Sequence, residues 1–268
     1  MIALDRELVQ RFAPAPQRPA LTALFNIERD VLDTLRPGLE HTVSHAKLGW
    51  WAEELERLVM ASPRHPATIA LANSAREAAR SAPDLRPLAE HASVALACVA
   101  FVSREELDLH LRHWAGSVFR ELVVSGAALA GIPPADAERF AERAGAAVRE
   151  IELLFDFESH AWAGRVYTPL EPEHASLWTA RPLAIEQRER LNARLRQLDA
   201  ALESAVTEIP ARTRAALTGG IVWARLAQRT AGLALQRSEL RGELGRTEPL
   251  RRTIRAWRVA VRALQGAA

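Results

Sequence analysis

The sequence contains a single cysteine, a single lysine and a single tyrosine. Because Cys98 has no second cysteine for an internal disulfide, we expect a reducing, cytoplasmic location. The apolar run around Cys98, ASVALACVAFV, is about half the ~20 residues that a membrane-spanning helix needs. The first residues, MIALDRELVQRF, lack the positive start and apolar core of a signal peptide. We therefore expect no transmembrane segment, while peripheral membrane contact stays compatible with the sequence.

Valine, isoleucine and aromatic residues are also sparse, whereas alanine, leucine, arginine and glutamate dominate the chain. The abundant types are strong helix formers, and no segment shows the alternation of a β-strand, so an all-α fold is expected. Apolar residues at 49% and charged residues at 25% are typical of a globular protein. We predict an N-terminal arm at residues 1–19 and one helical domain at residues 20–264.

The charge pattern argues against one class of partner. The net charge is only +2, although the pI is about 9.3 and nearly all cations are arginines. The basic residues alternate with acids and do not form a stripe. No nucleic-acid partner is therefore expected.

Apolar residues recur at helical spacing along most of the chain. The proline-rich APAPQRP near the N-terminus is expected to be extended, and prolines at 169, 172 and 182 predict a loop over 168–184. Ser103, with a glutamate three residues later, forms a capping box that marks a helix start. The predicted helices are 20–35, 39–61, 66–79, 85–102, 103–130, 134 into the 149–169 stretch, 185–207, 210–235 and 247–264.

The stretch 149–169, REIELLFDFESHAWAGRVYTP, combines an acidic helix with a Gly-Arg turn. Helical spacing places Glu152, Asp156 and His160 on one stripe, because residues four apart are neighbours on a helix surface. Such a helix could present metal ligands beside a phosphate-binding cation. It could also be an ordinary amphipathic helix that Gly164 ends.

Two stretches together resemble a known family. The first, from Ala46 to Leu55, holds a basic residue, a leucine and a tryptophan pair, and a His-Pro pair at 65–66 follows it. The second begins at Asp156 and ends in the turn Gly164-Arg165-Val166-Tyr167-Thr168-Pro169. These two motifs, their order along the chain and the number of residues between them resemble the squalene/phytoene synthase family. The resemblance spans roughly residues 20–260.

The resemblance implies a single-domain helical bundle with the class I isoprenoid-synthase fold. Enzymes of this family are prenyltransferases of isoprenoid biosynthesis that join two prenyl diphosphates head to head. They hold Mg²⁺ between two aspartate-rich helices that face each other across a cavity. Carboxylate oxygens suit this hard cation, which neutralises the charge developing on the leaving diphosphate. The implied cofactor is Mg²⁺, and the implied ligand is a prenyl diphosphate or a lipid-like small molecule.

The first acidic motif is depleted in this sequence. Aligned through Asp30 and Asp33, the segment keeps two acids, and Arg29 replaces the leading one. Aligned without gaps from Lys47, it instead resembles a branch with a Phe-x-Leu-x-x-Glu helix and no aspartate cluster. That branch includes relatives of mitochondrial complex I assembly factors, which are not regarded as synthases. We favour the gapless alignment.

The second acidic motif keeps its leading aspartate, Asp156, while Ser159 and His160 replace its Glu-Asp pair. Glu152 adds an acid one turn earlier, but histidine favours softer ions than Mg²⁺. A partly buried polar stripe without metal is the favoured interpretation. The candidate metal ligands are Asp30, Asp33, Glu152, Asp156 and His160.

Three residues match family positions that could contact a diphosphate: Lys47, Arg165 and Tyr167. A guanidinium can bind phosphate with two parallel hydrogen bonds. The alternatives are an exposed surface position for Lys47, a local ion pair for Arg165 and core packing for Tyr167. Trp50 and Trp51 are adjacent on a helix, so they cannot both point into one core.

Three hypotheses follow for function. The leading one is a member of the family with weak or lost prenyltransferase activity, which keeps a cavity for a prenyl or lipid-like ligand or serves a protein partner. The alternative is an active Mg²⁺-dependent transferase that uses Asp30, Asp33 and Asp156. A third hypothesis is a helical scaffold for a partner, suggested by the arginine-rich helix from Arg251 to Arg262.

Overall fold

The computed structural model describes residues 2–36, 38–97, 101–114, 116–157, 160, 165, 167, 185–236 and 248–265. Within these residues the chain forms eleven α-helices and no β-strand, which confirms the all-α prediction. None of the described helices has the length and apolar character that crossing a bilayer requires. The helices are α1 (Ile2–Phe12), α2 (Arg18–Leu32), α3 (His41–Val59), α4 (Pro66–Glu77), α5 (Arg86–Leu96), α6 (Arg104–Trp114), α7 (Gly116–Leu129), α8 (Pro134–Phe155), α9 (Ile185–Thr207), α10 (Thr218–Leu235) and α11 (Glu248–Gln265).

Helices α8 and α10 form the centre of the bundle. Helix α8 packs against α6, α7, α9 and α10, and α10 also packs against α1, α9 and α11. The close approach of α10 to its neighbours depends on Gly220. A Cβ at this position would lie 2.7 Å from a methyl of Val123 and 2.9 Å from the ring of Phe140, closer than side chains pack.

Helix α1 belongs to the same hydrophobic core. It packs against α10 and α11 and buries Leu8 and Val9. The predicted division of the chain at residue 19 stays a prediction. The stretch after α1 differs from the expected extended chain, because it contains a 3₁₀ turn at Ala15–Gln17 and α2 already begins at Arg18. Prolines stand in the first turn of both elements, where a missing N–H breaks no helical hydrogen bond.

Other predicted boundaries also need correction. The predicted helix 103–130 is two helices in the structure, since α6 ends at Trp114 and α7 begins at Gly116. The predicted helix 85–102 ends at Leu96, and the one expected from 210 begins at Thr218, after a 3₁₀ turn at Ala211–Thr213. Apolar spacing continues across such short breaks, so periodicity alone does not locate them.

A buried ion pair joins the first described helix to the last. Arg252 of α11 is 1% exposed and donates to both carboxylate oxygens of Asp5 on α1, at 2.6 and 2.7 Å. It also donates to the hydroxyl of Thr230 on α10, at 2.8 Å. Burial raises the pKa of Asp5 despite the attraction of Arg252. The carboxylate therefore depends on this partner to remain charged inside the protein.

Replacing Arg252 alone is expected to destabilise the fold strongly. Arg252→Met leaves the Asp5 carboxylate buried without a counter-charge, which costs about 3–5 kcal/mol. Urea denaturation of the variant measures the loss in the free energy of unfolding. The double variant Asp5→Leu/Arg252→Met removes both charges and is expected to recover most of the stability. A double variant as unstable as the single one would contradict this account.

Candidate functional site

A cavity of about 480 Å³ lies between α1, α2 and α8. Phe25, Leu32, Leu35 and Leu153 supply apolar lining, and the polar lining comes from α1, α2, α8 and residues after α8. Six of the predicted site residues line this cavity: Asp33, Glu152, Asp156, His160, Arg165 and Tyr167. Asp30 and Lys47 are not among its lining residues.

Arg6 of α1 is the central charge of this site. Its Nε and Nη2 atoms donate to the two carboxylate oxygens of Glu28 on α2, each at 2.7 Å. Its Nη1 atom donates to Oε1 of Glu152 on α8 at 2.7 Å, and Nη2 also reaches Oε2 of Glu152 at 3.2 Å. The guanidinium carbon lies 3.7 Å from the centre of the Trp223 ring. One buried guanidinium therefore connects two helices that face each other across the cavity.

Glu152 has no free carboxylate oxygen. Besides the bonds from Arg6, Oε1 accepts from the indole nitrogen of Trp223 and Oε2 from Arg149, each at 3.1 Å. Burial alone would raise the pKa of Glu152, but the charges of Arg6 and Arg149 and these hydrogen bonds lower it to about 2. Arg6, Arg149, Glu28 and Glu152 together form a network of two cations and two anions.

Asp156 and His160 lie where α8 ends. The helix ends at Phe155, and Asp156 adopts a turn conformation as its C-cap, so the predicted helical stripe does not continue unbroken to His160. Burial raises the pKa of Asp156 above its ordinary value. Burial, together with the positive charges of Arg149 and Arg165, lowers the pKa of His160 to about 4. His160 is therefore neutral at physiological pH.

The side chain of Arg165 contacts two other parts of the chain. Its Nε atom donates to the carbonyl oxygen of Ala95 and its Nη1 atom to that of Leu35, both at 3.0 Å. Both partners are neutral, so in the described part of the chain no carboxylate neutralises this guanidinium. Tyr167 is 4% exposed, and its ring packs against the ring of His160 with centroids 5.3 Å apart. Arg165 and Tyr167 thus contribute a positive charge and an aromatic ring to the cavity wall.

The family model described as squalene/phytoene synthase matches residues 5–246. The chain belongs to the squalene/phytoene synthase family. It is similar to a crystal structure of a dehydrosqualene synthase in complex with ligand, with a TM-score of 0.73 and 16% identity over 97% of this chain and 92% of that one. It is also similar to squalene synthase HpnC from Alicyclobacillus acidocaldarius, with a TM-score of 0.61 and 18% identity over 87% and 90%. No curated protein sequence matches it.

These similarities confirm the predicted family and the isoprenoid-synthase type of helical fold. The assignment to the aspartate-poor branch stays a prediction. The resemblance to the squalene/phytoene synthase family implies a cation between two acidic helices. In this chain the corresponding helices, α2 and α8, are connected by Arg6.

The described residues do not fit a magnesium site. No group of three or more histidine, cysteine or acidic side chains that could hold a metal ion occurs among them. Both oxygens of Glu152 are occupied by protein donors, and Asp30 pairs with Arg29 at 2.9 Å. Asp33 and Asp156 line the cavity, whereas two residues of the second motif, 158 and 159, lie outside the described chain. The candidate ligands therefore remain a prediction that this geometry does not support.

Lys47 lies apart from the other two residues predicted to contact a diphosphate. It is exposed on α3, outside the lining of the cavity that holds Arg165 and Tyr167. On the same helix, Trp51 is 6% exposed and Trp50 is 43% exposed, as the adjacent positions require. The ring of His65 packs against both tryptophans, at 4.9 and 5.9 Å between centroids. The tryptophan motif therefore stabilises the contact between α3 and the start of α4.

The central residues Arg6, Glu28 and Trp223 are absent from the sequence-based site prediction. Arg6 lies 146 positions before Glu152, and no local spacing connects them. One signal was available, because Arg6 lies three residues before the apolar Val9 and helical spacing places it beside the buried face of α1. A charged residue beside an apolar stripe indicates a buried partner elsewhere.

The lowered pKa of Glu152 predicts a distinct dependence of stability on pH. A pKa of about 2 in the folded state, against 4.5 ordinarily, means that the unfolded chain takes up the proton first as pH falls. The stabilisation is fully present above about pH 4.5 and is lost as pH falls towards about 2. We expect the free energy of unfolding, measured by urea denaturation between neutral pH and about pH 3, to fall less steeply with pH in Glu152→Gln than in the unmodified chain. Identical slopes would refute this assignment.

Removing Arg6 tests whether it takes the place of a metal cation. In Arg6→Ala, Glu28 and Glu152 lose their common counter-charge, which lowers the free energy of unfolding by about 3–5 kcal/mol. We expect Mg²⁺ or Mn²⁺ to raise the melting temperature of this variant and to leave the unmodified chain unchanged. In the control Arg6→Ala/Glu28→Gln, which has one carboxylate fewer, the metal ions are expected to raise the melting temperature less. An equal metal-dependent shift in the unmodified chain would contradict the interpretation.

Proposed function

We propose that this chain binds a prenyl or similar lipid-like ligand in the cavity and has lost Mg²⁺-dependent prenyl transfer. The observation that carries the proposal is the position of Arg6 between Glu28 and Glu152. Its guanidinium supplies positive charge where the family resemblance implies a divalent cation. The N–H donors of Arg6 are directed at these two carboxylates, and a guanidinium has no coordination sphere that carboxylates and a diphosphate could share, as Mg²⁺ has.

Charge balance around the cavity supports the same conclusion. Arg6 and Arg149 neutralise Glu28 and Glu152 within the protein, so this network attracts no further cation. The full lining holds five arginines and five acids, which formally cancel. Mg²⁺ at a diphosphate site is held by one or two carboxylates together with the substrate phosphates, and of the lining acids Glu28 and Glu152 are already paired with arginines.

The remaining lining is suited to an amphiphilic small molecule. Phe25, Leu32 and Leu153 provide an apolar wall. Arg165 presents a guanidinium without a carboxylate partner among the described residues, and the ring of neutral His160 packs against Tyr167. Ligand pockets typically combine a mostly apolar wall with few polar groups that orient the ligand. We therefore place an apolar chain along the aliphatic wall and a polar head near Arg165.

One set of measurements tests the proposal against the active-transferase alternative. Purified chain incubated with farnesyl or geranylgeranyl diphosphate and Mg²⁺ is expected to give no head-to-head product. Binding of farnesyl phosphate without metal, measured by calorimetry, is expected to weaken at least about tenfold in Leu32→Trp, because an indole fills the cavity at that wall. Leu129→Trp, at an exposed position on α7, is the matched control.

Two outcomes would overturn the proposal. Glu7, Asp33 and Asp156 are acids of the lining without a salt bridge in the described chain, and the active-enzyme alternative uses Asp33 and Asp156. Turnover that disappears in Asp156→Ala would establish the prenyltransferase alternative. Equal binding by Leu32→Trp and Leu129→Trp would show that the ligand does not occupy this cavity.

A further inference from the structure

A second, larger concavity lies on the other side of α10. This groove of about 960 Å³ is formed by the end of α9, by α10 and by α11. Seven of its lining residues are arginines and none is acidic. It shares no lining residue with the central cavity, so an inference drawn from it is independent of the proposed function.

Four of the arginines come from one face of α11. Arg251, Arg255, Arg258 and Arg262 are spaced four, three and four residues apart, which places them in one row along the groove. Like charges at this spacing destabilise a helix. None of the four makes a salt bridge or side-chain hydrogen bond within the described chain, so no direct partner offsets the repulsion there.

The opposite wall adds three more guanidinium groups. Arg225 pairs with Glu203 at 3.0 Å and Arg229 with Glu248 at 2.9 Å, and both acids lie outside the groove lining. Arg214 donates to a backbone carbonyl. The two paired acids neutralise two of the seven charges, and the groove keeps a large positive excess.

Arg255 lies among these like charges. Burial lowers the pKa of Arg255, and the charges of Arg225 and Arg229 lower it further, by more than Asp199 and Glu203 raise it. A concave surface with charges of one sign concentrates the electrostatic potential and attracts the opposite ion. The floor is apolar, formed by Ile221, Ile254 and Val259.

We propose that the groove between α10 and α11 is a binding site for a phosphate-bearing anion with at least two negative charges. The guanidinium fork matches phosphate oxygens with paired hydrogen bonds, and several arginines can share one such group. The bound anion offsets the repulsion along α11. The apolar floor suits an ester that carries a hydrocarbon part.

The phosphate can come from a soluble ester or from a lipid headgroup. Leu250, Trp257 and Leu264, spaced seven residues apart, form an exposed apolar row on the neighbouring face of α11. Arginines beside exposed tryptophan and leucine are typical of helices that rest on anionic membrane surfaces. The experiment therefore needs one arm for each source.

In the first arm, inorganic pyrophosphate is added to the full chain during thermal unfolding, with sodium chloride at equal ionic strength as reference. We expect the melting temperature to rise by about 5–10 °C at a hundredfold excess over Kd. Arg255→Gln/Arg258→Gln is expected to abolish this rise and to be at least as stable as the unmodified chain without the anion. Arg251→Gln/Arg262→Gln is a second pair on the same face, and Arg76→Gln on α4, which removes one charge outside the groove, is the control.

In the second arm, co-sedimentation compares vesicles of phosphatidylcholine with vesicles that also contain phosphatidic acid, whose phosphate monoester can carry two negative charges. Retention on the anionic vesicles alone, lost in Arg255→Gln/Arg258→Gln, identifies a lipid phosphate as the source. A pyrophosphate-induced shift without retention identifies a soluble ester. The proposal is overturned if neither response occurs, or if both double variants respond like the Arg76→Gln control.

Discussion

The salt bridges of Arg6 set the arrangement of the helices around the cavity. Desolvating one guanidinium and two carboxylates is costly, and only their close contact offsets that cost. The bonds to Glu28 and Glu152 therefore hold α1, α2 and α8 at one spacing. The indole of Trp223 covers the guanidinium and adds α10 to the same cluster. The guanidinium of Arg6 on α1 thus contacts side chains of three other helices.

The fold of the squalene/phytoene synthase family occurs here with a buried arginine network beside its cavity. A helical bundle is stabilised by its apolar faces, which do not require any particular residue in the cavity. The acids of a metal site repel one another without their cation, so a chain that loses the metal gains stability by acquiring an internal counter-charge. Arg6 and Arg149 supply that counter-charge to Glu28 and Glu152.

Local spacing predicts the parts of this site that lie on one helix and misses the parts that come from several. Glu152 and Asp156 are one turn apart, and both line the cavity as expected. Arg6 reaches Glu152 across 146 positions, and no periodicity encodes that contact. The helical class follows from composition. The separation of α6 from α7 does not, because apolar spacing continues from one helix to the next. The exposed position of Lys47 likewise depends on how α3 packs.

The bond between Asp5 and Arg252 has a consequence for biosynthesis. These residues are separated by 247 positions, so α1 cannot complete its charge pairing until α11 has left the ribosome. Contacts between distant parts of a chain form late, since closing a long loop costs entropy before the contact contributes any stabilisation. During synthesis the first helix therefore carries an unpaired aspartate, and a chain cut short before α11 keeps that charge unmatched. Release of α11 is therefore the step in synthesis at which the Asp5 carboxylate gains its ion-pair partner.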